Sequence, residues 1–310
     1  MKHVIIDTDP GVDDALALML ALSSPELAVE AVTTVFGNVS LEKTHSNALR
    51  ILEFLGVTDI TVSRGASKPL LGQYQERNGF HGESGLGEAV LPEPTLMSSP
   101  DTAVKTIIQM ADELGKELTI CAVGPLTNIA SALIYEPELA YKVNKLVIMG
   151  GAFHLTPYGH GNTTPVAEFN IWSDPESAKL VFESGIPVEA YGLDVTTDPA
   201  NKLTGDTLRR IADSNTRKSR LVSDLCSRYI QRSGSFSLHD PMAVASIIDP
   251  SLGKTQKLRI DVETSGDITR GQTVVEHRAS RFQPGRGPNV DVCISMDGPR
   301  LLDLFNKRIV

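Results

Sequence analysis

The stretch Asp7-Thr8-Asp9-Pro10-Gly11-Val12-Asp13-Asp14-Ala15-Leu16-Ala17-Leu18 decides the fold. Val4-Ile5-Ile6 before it is a β-branched apolar run, which predicts a buried strand. Residues 15–22 after it are apolar and rich in strong helix formers. Pro10 and Gly11 punctuate the junction. Four carboxylates therefore gather where the first strand of a parallel sheet ends and its helix begins. In open α/β sheets, ligands bind outside the carboxyl ends of the strands. Four aspartates this close repel one another unless positive charge sits among them. The oxygen-seeking cations Ca²⁺ and Mg²⁺ suit such a cluster. Attraction to a helix N-terminus accounts for Asp13 and Asp14, but not for Asp7 and Asp9 alternating at a strand end.

Outward from this corner the same alternation repeats. Strand patterns at 29–35, 60–62, 118–123, 145–149 and 188–192 interleave with helix patterns at 41–55, 102–114 and 174–183. The expectation is an α/β fold: an open, mainly parallel central sheet flanked by helices on both faces, with a Rossmann-like core. Residues 198–232 read as charged helix, with Arg228 and Arg232 on a solvated face. Further strands are expected at 257–263, 272–276 and 289–294, a surface loop at 278–289 and a closing helix at 297–307. No repeat, low-complexity tract or linker interrupts the chain, so a single domain over 1–310 is expected.

The formal net charge of −9 argues against a nucleic-acid or acidic-membrane surface. Cys121, Cys226 and Cys293 are too sparse for a zinc or redox pair and suit a reducing compartment. Lys2 and His3 lead directly into a strand, which predicts no secretory leader, and no apolar run is long enough to span a bilayer. A cytoplasmic protein is expected.

Other strand ends carry polar groups. Gly37-Asn38 follows the second strand, level with the aspartates; Asn there suits either a turn or a ligand contact. Residues 67–100 lack periodicity and contain Gln73, Tyr74, Arg77, Asn78 and Phe80-His81-Gly82-Glu83-Ser84-Gly85. A polar loop this long reads as a functional lid or as a disordered segment. Val123 ends one strand with a free carbonyl before Gly124-Pro125; Met149 ends another before Gly150-Gly151. Asn162, Glu168 and Asn170 form a hydrogen-bonding set suited to the hydroxyls of a neutral sugar. Asp174-Pro175 reads as a helix cap. His239-Asp240-Pro241 reads either as a cap or as an imidazole and a carboxylate at a site.

Together these residues resemble the inosine-uridine preferring nucleoside hydrolases. The opening aspartate run carries most of the likeness. Gly37-Asn38, His81-Gly82-Glu83-Ser84-Gly85, Gly124-Pro125-Leu126-Thr127-Asn128, Met149-Gly150-Gly151, Asn162, Glu168-Phe169-Asn170 and His239-Asp240-Pro241 follow in the family's order across nearly the whole chain. The resemblance implies the nucleoside hydrolase fold, a tightly bound Ca²⁺ and hydrolysis of the N-glycosidic bond of ribonucleosides. It assigns the metal to Asp9, Asp14, Asp240 and the Val123 carbonyl, with Asp9 also the base that activates the metal-bound water. It assigns the ribose to Asp13, Asn38, Asn162, Glu168 and Asn170, with Met149 close by. His239 falls beside the leaving base as its candidate acid, and His81 and Tyr229 fall on the base side. Asp7 supports the ligands from behind. A homodimer or homotetramer is implied.

Breaking the C1′–N bond builds positive charge on the sugar. The expected aids are an activated water, carboxylates around the ring and an imidazole of pKa about 6.5 at the base. Tyr229 beside Leu225 leans the reading towards pyrimidines or broad base specificity. Two other readings remain open. A haloacid-dehalogenase-like phosphatase would use Asp7 and Asp9 with Mg²⁺, but leaves Asp13, Asp14 and Asp240 without work. A non-catalytic nucleoside- or sugar-binding protein would keep the ligands and lose turnover.

Overall fold

A computed structural model describes residues 1–75, 79–278 and 287–310. Arg77 and Asn78 of the expected lid, and residues 279–286 of the expected surface loop, lie outside the described residues.

The main sheet has eight strands: β1 (Lys2–Thr8), β2 (Leu27–Thr34), β3 (Thr61–Arg64), β4 (Leu118–Ala122), β5 (Lys145–Met149), β6 (Val188–Tyr191), β7 (Gly253–Leu258) and β8 (Val290–Met296). Their spatial order is β3-β2-β1-β4-β5-β6-β8-β7. All neighbours are parallel except β7 against β8. The chain winds outward from β1 in one direction and from β4 in the other, so the crevice between their carboxyl ends is the topological switch point. Asp9 lies just beyond β1 and Val123 just beyond β4.

Alternate residues of the central strands feed two cores. Ile6, Val32 and Val147 face one; Ile5, Ala31 and Ile148 face the other. Burial on both faces explains why these strands read as continuous apolar runs. The first helix, α1 (Val12–Leu22), is buried along almost its whole length, as an apolar surface all round requires. It packs against the helix His239–Ile248, which brings Asp240 to the same rim as the aspartate run.

Several elements differ from the sequence reading. The charged region 198–232 is not one helical stretch: Lys202–Thr204 pairs antiparallel with Ser235–Ser237, and the helices Gly205–Asp213 and Arg217–Ser233 lie between them. Glu168 caps a short helix, Phe169–Ser173, where a loop was expected. The helix after Leu238 begins at His239, so Asp240 lies in its first turn and is not the cap. Asp174 caps Pro175–Glu183 as expected, and also accepts from Leu70 N and Thr127 Oγ1. Its role is structural.

His45, on the helix Leu41–Leu55, is buried against β2. Its Nδ1 lies 3.0 Å from Thr34 Oγ1, and its Nε2 has no partner. Burial first, then the Arg64 charge, holds its pKa down at about 4, from 6.5. Below pH 6.5 the unfolded chain takes a proton that the folded chain refuses, so stability falls as pH drops towards 4. The loss attributable to this group is about 1–2 kcal/mol between pH 6.5 and 5. We expect His45→Gln to lose less melting temperature than the parent over that interval; equal losses would remove the assignment.

Candidate active site

Asp9 is fully buried. Its Oδ2 accepts the Asn38 backbone N–H at 2.7 Å, whereas its buried Oδ1 has no hydrogen-bond partner. Two glycines make room for it: a Cβ at either Gly37 or Gly124 would run into the carboxylate. The physical requirement at both glycines is clearance for a side chain distant in sequence. Gly37→Ala is expected to displace Asp9 and lower turnover about 100-fold. A steady-state assay beside a melting curve checks this, and undiminished turnover would refute it.

Asp14 accepts more hydrogen bonds than any other aspartate of the cluster. Thr8 Oγ1 at 2.5 Å and the Asp9 N–H at 3.1 Å donate to Oδ1; the Gly11 N–H and Asn38 Nδ2, both at 2.9 Å, donate to Oδ2. Asn38, expected at the sugar, therefore also clamps Asp9 and Asp14 together. Carboxylate oxygens of Asp13, Asp14 and Asp240 lie within 4.8 Å of one another. Asp9 is not in that triad but is close enough for Asp14 and Asp13 to raise its pKa, after burial. The resemblance places Asp13 on the sugar; the geometry also gives it an oxygen in the acidic triad. Behind the cluster, Asp7 Oδ1 accepts from Thr33 Oγ1 at 2.5 Å and Asn128 Nδ2 at 2.8 Å.

Burial raises the pKa of every member. Asp13 is pushed up to about 8, with Asp14 as the next cause, and Asp7 to about 7. Asp240 is raised by burial and then by Asp13, Asp14 and Asp9. Such a set is unfavourable while ionised and unpaired. Oxygen-only donors, the unpartnered Oδ1 atoms of Asp9 and Asp13 and the uncompensated charge fit one hard divalent cation.

A cavity of about 280 Å³ opens beside the cluster. Asp13, Asn38, His81, Val123, Met149, Asn162, Glu168, Asn170, His239 and Asp240 line it, together with Phe80, Thr163 and Phe169, which sequence reading had not singled out as site residues. Asn170 Nδ2 donates to the carbonyls of Val123 at 2.8 Å and Met149 at 3.0 Å, tying the ends of β4 and β5. Glu168 accepts from the backbone N–H groups of Gly151, Asn170 and Ile171. Its position is thus set by a strand end and a helix start.

His81 Nδ1 accepts the Val12 N–H at 3.0 Å, which pins the glycine-rich loop to the start of α1. Burial and then His239 lower its pKa to about 3. His239 Nδ1 lies 2.8 Å from Thr196 Oγ1. Burial and then Lys202 lower its pKa to about 4, from the ordinary 6.5. Tyr229 does not line the cavity. Its hydroxyl donates to the Phe80 carbonyl and its ring lies 5.1 Å from that of Phe80. It stands behind a cavity wall.

A carboxylate cluster at the switch point of a parallel sheet, opening into a small pocket of amides and imidazoles, defines a hydrolase acting on a small hydroxylated substrate. Comparison with known proteins specifies the class. Residues 4–303 match the family model described as inosine-uridine preferring nucleoside hydrolase. The pyrimidine-specific ribonucleoside hydrolase RihA of Salmonella paratyphi C is 41% identical over 99% of this chain and 97% of its own length. Its Escherichia coli O17:K52:H18 counterpart is 42% identical over the same shares. Among solved structures, a purine-preferring ribonucleoside hydrolase from Gardnerella vaginalis superposes with a TM-score of 0.91 at 34% identity, covering 99% of this chain and 98% of that one. The chain belongs to the inosine-uridine preferring nucleoside hydrolase family. It is a ribonucleoside hydrolase, an N-glycosidase, and the phosphatase reading is set aside.

Proposed function

We propose that this chain hydrolyses pyrimidine ribonucleosides to ribose and free base at the acidic cluster, with Ca²⁺ as its ion. The observation that carries the site assignment is the buried triad Asp13, Asp14 and Asp240 beside Asp9, opening into the 280 Å³ cavity. Asp9, Asp14, Asp240 and the Val123 carbonyl would hold the ion, and Asp13, whose carboxylate joins the same cluster and lines the cavity, would serve the sugar. Ca²⁺, which takes oxygen ligands in flexible geometry, is the ion that the family resemblance implies. When bound, the ion supplies fixed positive charge that orients the sugar hydroxyls and acidifies a water molecule.

The chain's own residues do the rest. Asp9, with one unpartnered oxygen, takes the proton from the attacking water. Asn162, Glu168 and Asn170 bind the sugar, and the carboxylates stabilise the positive charge that builds on the ring. His81 and His239 bound the base side, backed by Phe80 and Tyr229. The pyrimidine preference draws on the printed specificity of the RihA relatives. Among the described residues no helix is long and apolar enough to cross a membrane. A cytoplasmic location and a homodimer or homotetramer complete the proposal.

A site built from paired polar groups rejects a substrate that leaves those groups unpaired. Deoxyuridine is therefore expected to show a kcat/KM at least about 1,000-fold below that of uridine. Base release from the two nucleosides, with inosine in parallel, tests both halves of the proposal. Comparable rates for uridine and deoxyuridine would overturn the sugar assignment, and faster hydrolysis of inosine would overturn the pyrimidine preference.

A further inference from the structure

Phe80 and His239 have a second side. A cavity of about 510 Å³ adjoins the first and shares those two residues as its wall. Three cations line it, Lys202, Arg228 and Arg232, and among the described residues no carboxylate does. Sequence reading put Arg228 and Arg232 on a solvated helix face. They lie one turn apart on Arg217–Ser233, a like-charge spacing that is mildly destabilising by itself. Lys202 reaches the same cavity from the strand paired with Ser235–Ser237. None of the three has an ion-pair partner among the described residues. Arg228 and Arg232 are exposed and Lys202 is half-buried; three cations converging on one cavity that no carboxylate lines among the described residues mark a place for an anion.

The proposed function places the base against Phe80, His81 and His239, so a substituent on the base's outer edge would pass that wall into this cavity. We propose that the cavity receives a carboxylate carried by the base, making acid-substituted pyrimidine ribonucleosides better substrates than their neutral counterparts. This rests on the pyrimidine ribonucleoside reading above. A phosphate on the sugar does not meet the same geometry, because the sugar end is the end held by the carboxylates and by Asn162.

The test compares two nucleosides of nearly equal size that differ in charge, 5-carboxymethyluridine and 5-carbamoylmethyluridine, on the ion-loaded enzyme. The expected result is a kcat/KM about tenfold higher for the acid, as for a charge-assisted hydrogen bond, with the ratio compressed by 0.5 M salt. In the double variant Arg228→Gln/Arg232→Gln the ratio is expected to fall to about one or below. Lys202→Met, on the opposite wall, is expected to lower the ratio too and serves if the double variant does not fold. A ratio of one or less in the parent, or a ratio unmoved by the variants, would overturn the inference. Uridine assayed alongside separates the two claims: uridine turnover without charge preference removes only this one, whereas no turnover of uridine removes the underlying reading.

Discussion

Asp9→Asn is expected to lower kcat for uridine by about 1,000-fold while changing KM little. Loss of a positioned general base typically removes two to four orders of magnitude. The amide oxygen of the variant still accepts the Asn38 N–H that holds Oδ2 at 2.7 Å, so the turn keeps its shape. What disappears is the basic oxygen, the one with no partner in the protein. The same change should raise the melting temperature of the chelator-treated protein. Burial and the charges of Asp14 and Asp13 hold the Asp9 pKa well above its ordinary value, so the ionised side chain opposes folding at pH 7 and its neutral replacement does not. Activity and ion-free stability should thus move in opposite directions. A variant retaining most of its turnover would end the assignment of Asp9 as base.

Removal of the divalent ion should abolish turnover and destabilise the fold together. Five buried acids, Asp7, Asp9, Asp13, Asp14 and Asp240, all have raised pKa values, with burial the leading cause for each. Without a cation that charge is opposed by hydrogen bonds from Thr8, Thr33, Asn38, Asn128 and backbone N–H groups. A ligand present at 100 times its Kd stabilises the folded state by about 2.7 kcal/mol, which corresponds to roughly 5 °C in a chain of this size. Chelation followed by a melting curve and a uridine assay should show both losses, and added Ca²⁺ should restore both. Full activity after exhaustive chelation would contradict the metal assignment.

Legibility in the sequence followed how local each feature is. The strand 145–149 and the helix 41–55 were read to the residue because period and burial agree along a single segment. The aspartate run pointed to a site because a helix N-terminus accounts for Asp13 and Asp14 but not for Asp7 and Asp9 beside them. Features built by distant residues were not legible. Asn38 clamps Asp9 and Asp14 across more than twenty residues. The spacing of Gly37 and Gly124 from Asp9 exists only once β1, β2 and β4 lie side by side. The resemblance put Tyr229 on the base side; what only the structure shows is that its hydroxyl donates to the Phe80 carbonyl, 149 positions earlier. The strand pair at Lys202–Thr204 and Ser235–Ser237 was hidden because each strand is three residues long, too short to show a period.

The central claim is that side chains from both ends of the chain close on one divalent cation at the sheet's switch point. Calorimetric titration of Ca²⁺ into the chelator-treated protein tests it most directly. The account predicts one site per chain, absent in Asp240→Ala, whose circular dichroism matches that of the parent. No measurable binding by the parent, or an undiminished site in Asp240→Ala, would contradict it.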